Sequence, residues 1–306
     1  LRSKYNSHLP IDTIIDGDEG RKNMKNYMGC GGQVDESRLE EFERSGLYVA
    51  EPKCDGMWAI CVSNGTQRIF SRNGKEKFVD LPVLPEGTIV AGELMFGSQE
   101  GLQRTQKAGH MIMDVFDILA DRGRDVTGED DNSRREILEQ AFESWDKYTQ
   151  ESFPLVGRWK SDFRKHYDEA SEGLVLKQVG DRPHHSYRMG RNPWWIKVKK
   201  MLTVDMVVMD YKLSDAESYK GMGIAQCITC GVFKNGKLKA MVDVGSFPLK
   251  MKADVVANWN DYKGKVVEIK CYKIFKSGSL RHPSLVGLRD DKSPEECTWE
   301  SLVSLM

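Results

Sequence analysis

From residue 47 onward the chain is built of short apolar runs, each soon cut off by glycine, proline or asparagine. Runs too short for an amphipathic helix and bounded by turn residues read as strands, so the chain must fold around sheets. They lie at 47–52, 57–62, 67–71, 88–94 and 111–119, with turns at Ser63-Asn64-Gly65, Asn73-Gly74 and Pro85-Glu86-Gly87 between them. Helical periodicity is less frequent. Residues 35–44 put Leu39 and Phe42 on one side, 133–148 carries a stripe of Ile137, Leu138, Ala141, Phe142 and Trp145, and 161–170 is a shorter helix. Ser133 and Glu136 have the spacing of a capping box at the start of the second. Strands at 173–179 and 194–199 complete this block. Strands mixed with a few helices, without regular βαβ alternation, predict an α+β fold with antiparallel sheets.

Beyond residue 200 strands are expected at 203–211, 224–233 and 237–245, a helix at 249–262, and strands at 265–275 and 285–289. Three strands, a helix and two further strands is the order of a small Greek-key barrel of the OB type. Lys234-Asn235-Gly236-Lys237 is its hairpin turn. The expected organisation is an N-terminal extension over residues 1–46 packed on a first domain at 47–201, then an OB-fold domain at 202–306. Glycines cluster at Gly29, Gly31 and Gly32 within the extension.

With 40% hydrophobic and 30% charged residues, the chain is too apolar for disorder and too charged for a membrane interior. Its longest uncharged stretch, 221–233, falls short of the ~20 residues a spanning helix needs. The opening residues show no charged-then-apolar leader, and the 7 cysteines are an odd, scattered set with a single CxxC at Cys227 and Cys230. This pattern suits a reducing compartment rather than a disulfide framework or a zinc site. A cytoplasmic location is therefore expected, the host-cell cytoplasm if the source is viral. The net charge of -1 conceals segregation: residues 188–281 hold 18 Lys/Arg against 8 Asp/Glu. Such a basic block beside an acidic remainder fits a polyphosphate-binding surface or a solvated lysine-rich sheet.

Several segments carry chemistry. Lys53-Cys54-Asp55-Gly56 follows the first strand, where a held lysine becomes a nucleophile if its neighbours favour the neutral amine. Lys197 and Lys199 are two apart on a strand and so share a face, as two cations gripping one phosphate would. Glu93 and Glu172 each stand beside a glycine, Gly92 and Gly173, which lets other groups approach. No GxxxxGK[ST] phosphate loop is present. His184-His185, in the Arg-rich loop 182–191, reads as DNA-facing or plain surface rather than as a metal site.

In chain order these segments are joined by Ser71-Arg72-Asn73-Gly74, Asp114-Val115-Phe116-Asp117, Glu172-Gly173-Leu174-Val175-Leu176-Lys177 and Arg289-Asp290-Asp291-Lys292. The series over residues 51–292 resembles the motifs of the covalent nucleotidyltransferases, most closely the short ATP-dependent DNA ligases of phages and viruses. The resemblance implies an antiparallel-sheet adenylation domain followed by an OB-fold domain. It implies that Lys53 attacks the α-phosphate of ATP to give lysyl-AMP, with Lys197 and Lys199 on that phosphate. Glu51 would read the adenine amino group, Phe116 stack on the base, and Arg72 contact the ribose and the 5′-phosphate of a nick. Glu93 would take the ribose or a metal, and Asp55, Glu93 and Glu172 form the metal set for Mg²⁺, with Mn²⁺ as substitute. Arg289 and Lys292 would orient the departing pyrophosphate, a role requiring closure about a hinge near 200–203.

The implied partner is nicked double-stranded DNA, sealed by a monomer without membrane attachment, in replication, repair or recombination. One position departs from the pattern. Similar ligases carry arginine five residues after the nucleophile, where this chain has Trp58, leaving Arg68 or Arg72 to substitute. Two rival readings stand beside this one: an RNA ligase or capping-type enzyme, and a non-catalytic OB-fold nucleic-acid-binding protein. The strand-rich tail ending in Arg289 to Lys292 disfavours the RNA ligases whose tails are helical, and the intact Lys53, Glu93, Glu172, Lys197 and Lys199 disfavour the second.

Overall fold

A computed structural model describes residues 29–96, 99–179, 186–187, 190–215 and 222–306, and the chain divides into two units, 1–199 and 200–306. Residues 1–28 and the His184-His185 loop lie outside the described residues. Strands of the first unit are β1 (Gly29–Val34), β2 (Tyr48–Pro52), β3 (Met57–Asn64), β4 (Thr66–Ser71) and β5 (Glu76–Lys77). They continue with β6 (Thr88–Leu94), β7 (Met113–Asp121), β8 (Arg124–Asp125), β9 (Gly173–Gln178) and β10 (Arg191–Lys199). Its α-helices are α1 (Leu39–Arg44), α2 (Gln99–Ala108), α3 (Asp131–Glu143), α4 (Lys147–Ser152) and α5 (Phe163–Glu169).

These strands form a 6-stranded sheet, β5-β4-β3-β6-β7-β8, and a 4-stranded sheet, β1-β10-β9-β2. The apolar side chains sort into three layers. Trp58, Ile60, Phe70 and Ala91 of the larger sheet meet Val175 and Trp195 of the smaller one. The opposite face of the larger sheet, through Ala59, Cys61, Val90 and Val115, packs on Leu138 and Ala141 of α3. The opposite face of the smaller sheet, through Leu174, Leu176 and Val198, packs on Leu39 and Phe42 of α1 and Phe163 of α5. Covered on both faces, β3 and β6 are buried almost throughout, so they read as continuous apolar runs rather than as alternations. Each such side chain, fully buried, contributes about 1.5–3 kcal/mol.

The α+β class and the antiparallel pairing hold, with one exception: β1 runs parallel to β10. The glycine cluster, with no strand pattern of its own, forms that strand because β10 approaches closely; a Cβ on Gly31 would meet the Pro193 Cα at 2.6 Å. The helix expected at 133–148 begins at Asp131, and its cap is Asp130, whose carboxylate accepts from both Ser133 N (2.9 Å) and Ser133 Oγ (3.1 Å). An ionised carboxylate satisfies an orphan helix N–H better than the hydroxyl of Ser133. The same helix stops at Glu143, and Asp146 caps the separate α4 by accepting from Thr149 N (3.0 Å). Polar α2, interrupted by Gly101, has no clear apolar stripe and was not expected.

The second unit holds β11 (Leu202–Leu213), β12 (Ala225–Lys234), β13 (Lys237–Val244), β14 (Val266–Cys271), β15 (Lys273–Ile274), β16 (Leu280–Arg281) and β17 (Ser284–Leu288). Its helices are α6 (Leu249–Ala257), α7 (Trp259–Tyr262) and α8 (Trp299–Val303). The sheet order β13-β12-β11-β14-β17 is that of an OB barrel laid open. Among the described residues an isolated parallel bridge, Ser246 to Ser284, joins its two edges, with Leu285 N donating to Ser246 O (3.0 Å), and no continuous barrel closes there. The hairpin at Lys234–Lys237 forms, with Asn235 at φ 52 and Gly236 at φ 71 as a primed turn requires. The helix expected at 249–262 breaks at Asn258, and the strand at 265–275 breaks at Tyr272. No helix among the described residues is long and apolar enough to cross a membrane.

Candidate active site

The smaller sheet lays out the expected cations in rows. Its register aligns Glu51 on β2 with Val175 on β9, and Val175 with Lys197 on β10. Two residues further along, the backbone N–H of Lys53 donates to the Gly173 carbonyl (2.9 Å), and Gly173 is in register with Lys199. Side chains two apart share a face, so Glu51, Lys53, Lys197 and Lys199 belong to adjoining rows about 6–7 Å apart. Gly173 sits at φ 101, a conformation open to glycine, as the chain passes from Glu172 into β9. The Lys53 ammonium donates to Glu172 Oε2, and both side chains remain 20% exposed.

The larger sheet supplies the facing groups. Trp58 on β3 and Glu93 on β6 are cross-strand partners, and Glu93 pairs in turn with Asp114 on β7. A Cβ on Gly92 would meet the Asp114 carbonyl at 2.4 Å, so this glycine serves strand packing rather than ligand access. Asp114 receives two hydrogen bonds from the Arg104 guanidinium of α2, at 2.5 and 2.7 Å. Burial drives the Glu93 carboxyl up to about 7 against the pull of Lys53 and Arg72; Glu172 adds to the rise and Lys197 opposes it. A carboxylate that responds to Lys53, Arg72, Glu172 and Lys197 together places these groups around one cleft.

Trp58 is buried, and the Arg72 guanidinium lies over its ring at 5.9 Å from the centroid. Arg68, the other substitute considered for the missing arginine, is held by Glu76 through two hydrogen bonds of 2.9 and 3.0 Å. Arg72 is thus the one of the pair whose charge acts at Glu93. Asp55 is half-buried in the turn after β2. Among the described residues no three His, Cys, Asp or Glu side chains form a metal-holding group, so Asp55, Glu93 and Glu172 are not a preassembled cage. Two hard carboxylates, Glu93 and Glu172, near Lys197 still fit a Mg²⁺ ion by the chemistry of their oxygens.

At the other end of the cleft, Phe116 meets Trp195 edge-on, with ring centroids 6.2 Å apart and planes at 81°. The buried Lys177 lies over both rings, 4.1 Å from the Trp195 centroid and 5.4 Å from that of Phe116, and donates to Phe116 O (3.2 Å). Phe116 therefore packs within the inter-sheet layer while keeping partial exposure. Glu51 is 2% exposed, with Arg158 on one carboxylate oxygen and Lys177 on the other.

Lys177 and Arg158 carry no role in the sequence reading. Lys177 had a signal: a lysine inside the apolar run 173–178 must be buried and partnered. Arg158 had none, since it stands 107 positions from Glu51. Arg289 and Lys292 belong to the second unit, where Arg289 binds Asp291 through two hydrogen bonds of 2.8 Å and Lys292 donates to Asp205 (2.7 Å).

Residues 91–199 match the family model of the ATP dependent DNA ligase domain. The DNA ligase of Methanothrix thermoacetophila is 25% identical over 315 residues, covering 86% of this chain and 55% of that protein. That of Pyrobaculum neutrophilum is 30% identical over 207 residues, covering 54% and 34%. The chain spans about half the length of the first of these relatives. Among solved structures, a Lig E DNA ligase described as binding DNA with a minimal scaffold has TM-score 0.60 at 18% identity, over 86% of this chain and 100% of that one. The Pmar-Lig_Pre structure has TM-score 0.64 at 16% identity, over 87% and 68%. The matched segment holds Glu93, Phe116, Glu172, Lys197 and Lys199, so over residues 91–199 the chain is similar to the ATP dependent DNA ligase domain, and its fold is shared with solved DNA ligases.

Proposed function

We propose that the chain seals nicks in double-stranded DNA with ATP, through a lysyl-AMP and a DNA-adenylate. The observation that carries this reading is the placement of Lys53 against Glu172, in the row of Lys199 and beside Lys197. In the first step the Lys53 amine forms a bond to the α-phosphorus, the bond to the β-phosphate oxygen breaks, and pyrophosphate leaves. The ammonium first gives up a proton, and the Glu172 carboxylate that holds it is the nearest acceptor. Lys197 and Lys199 neutralise the α-phosphate as charge builds on it, which supports most of the rate in transfers of this kind. AMP then passes to the 5′-phosphate of the nick, and the 3′-hydroxyl displaces it.

Arg72, held over Trp58, is assigned to the ribose and the nick phosphate, and Phe116 with Trp195 to the base. A divalent cation, Mg²⁺ or Mn²⁺, would be held by Glu93 and Glu172 with Asp55 nearby, and would supply charge neutralisation at the phosphates. Arg289 and Lys292 are assigned to the leaving pyrophosphate on the strength of the resemblance. The basic excess of residues 188–281 would grip DNA phosphates without reading sequence. All 7 cysteines are free thiols, which accords with work in the cytoplasm. The protein is read as a monomer.

Mass spectrometry after incubation with ATP and Mg²⁺ tests the reading. One AMP is expected on the peptide containing Lys53, discharged onto nicked DNA when that is added, and none on Lys53→Ala. Modification at another residue, or none on folded protein, overturns it.

A further inference from the structure

Arg158 lies in the loop between α4 and α5, and that loop is tied to β2 as an added strand edge. Ala50 N donates to Trp159 O (2.8 Å) and Trp159 N returns the bond to Ala50 O (2.9 Å). This pairing delivers the Arg158 side chain, 9% exposed, to Glu51. Its Nε donates to Glu51 Oε1 at 2.8 Å with Nη2 paired to the same oxygen at 2.6 Å, while Lys177 Nζ reaches Oε2 at 2.7 Å. Behind them Asp131 takes Arg158 Nη2 at 2.8 Å and faces Lys177 at 3.8 Å and Arg134 at 3.5 Å. Arg134 grips Asp117 through hydrogen bonds of 2.8 and 2.9 Å. Three acids and three bases are thus paired in the interior, directly behind Phe116 and Trp195.

The arrangement decides what Glu51 can recognise. A carboxylate offers about four acceptor sites and, while ionised, donates nothing. Arg158 holds Oε1 and Lys177 pairs with Oε2, which fixes the carboxylate and leaves part of its acceptor capacity for a ligand. With both oxygens turned toward cations, the carboxylate accepts from an exocyclic N–H and repels a carbonyl oxygen at the same position of the ring. We infer that Arg158 is a positioning residue for base choice: by fixing Glu51 it makes the cleft select a purine with a 6-amino group over one with a 6-oxo group or none. The inference rests on the adenylation reading, since Glu51 is there the residue that meets the base.

The test compares ATP, GTP and purine riboside triphosphate, which lacks the 6-amino group, on the whole chain and on Arg158→Met and Arg158→Lys. Direct binding is measured by titration calorimetry, and lysyl-nucleotide formation is measured separately. The wild-type chain should bind ATP more tightly than the other two, and Arg158→Met should lower that preference by about tenfold or more, one good hydrogen bond to a charged group being worth this much. The loss should appear in Kd and KM rather than in kcat, and Arg158→Lys should restore part of it. A folded Arg158→Met chain with a lower Tm but an unchanged ATP preference overturns the inference, because a merely structural role predicts that result. Absence of any preference in the wild-type chain overturns it too. Nucleotide binding with the expected preference but no covalent adduct leaves the base-choice assignment standing and strikes the ligase reading alone.

Discussion

Two groups of charge meet in the cleft of the first unit, and they are built on opposite terms. Around Glu51, the side chains of Glu51, Asp117, Asp131, Arg134, Arg158 and Lys177 are all within 9% exposure, with every carboxylate paired with a cation. Around Lys53 the contrast is plain: Lys53 and Glu172 stay open to solvent, and Glu93 is half-buried with no ion pair among the described residues. The first arrangement balances its charges within the protein interior. The second keeps a desolvated carboxylate and several cations in unresolved opposition, which is how a site awaits a charged substrate.

Removing a cation separates the two most sharply. Arg134→Met leaves Asp117 buried without its cation and takes one of three from Asp131, and such a break costs about 3–5 kcal/mol. Urea denaturation should show that loss, whereas Lys53→Ala, which destroys the proposed activity, should leave stability within about 0.5 kcal/mol. Lys197→Ala should act in the reverse sense, lowering lysyl-AMP formation by roughly 10²–10³-fold with little change in the unfolding midpoint. A large fall in stability for Lys197→Ala would erase the distinction between the two groups.

The two groups also differ in the sign of their pH dependence. Burial opposes the charge on Asp131, but Lys177, Arg158 and Arg134 outweigh it and hold the carboxyl below the ordinary aspartate value. Stability from that group is present above about pH 4 and is lost as pH falls below it. Glu93 behaves oppositely, because its carboxyl titrates near 7 in the folded chain. Its contribution is present below the ordinary glutamate value of about 4.3 and is lost as pH rises through about 7. Glu93→Gln should therefore stabilise the protein, free of nucleotide and metal, by up to about 3 kcal/mol at pH 8, with the gain shrinking toward pH 5. Thermal unfolding in EDTA across that range is the measurement, and a gain independent of pH would refute the assignment.

The smallest expected effect concerns the frame that carries Asp131 and Arg134. Asp130→Ala removes the cap of α3 and should cost about 1 kcal/mol, with Ser133→Ala costing less because Asp130 is the capping side chain. Equal losses would restore Ser133 as the cap.

The strands were legible because their length and turn residues are local properties. Lys197 and Lys199 could be assigned to one face from their spacing, and Glu93 and Glu172 from their place in an ordered series. The helix over 133–148 was read correctly in its stripe but wrongly at both ends, since capping depends on which carboxylate reaches the first free N–H. The parallel pairing of β1 was hidden in a glycine cluster whose conformation is set by β10 rather than by its own sequence. Trp58 stood out only as a departure, and the stacking of Arg72 on it depends on where β3 and the end of β4 bring them.

The order of the residues alone established the α+β class, the motif series and the lysines and glutamates that belong to it, because period, turn chemistry and spacing act over a few positions. It left open how those side chains are charged and held. The grip of Arg158 on Glu51 joins positions 107 apart and the contact of Lys53 with Glu172 spans 119, so no local pattern announces either. Such pairs exist only once β9 and the loop holding Arg158 have come to lie beside β2, and in the interior low polarity is what makes an unpaired charge costly.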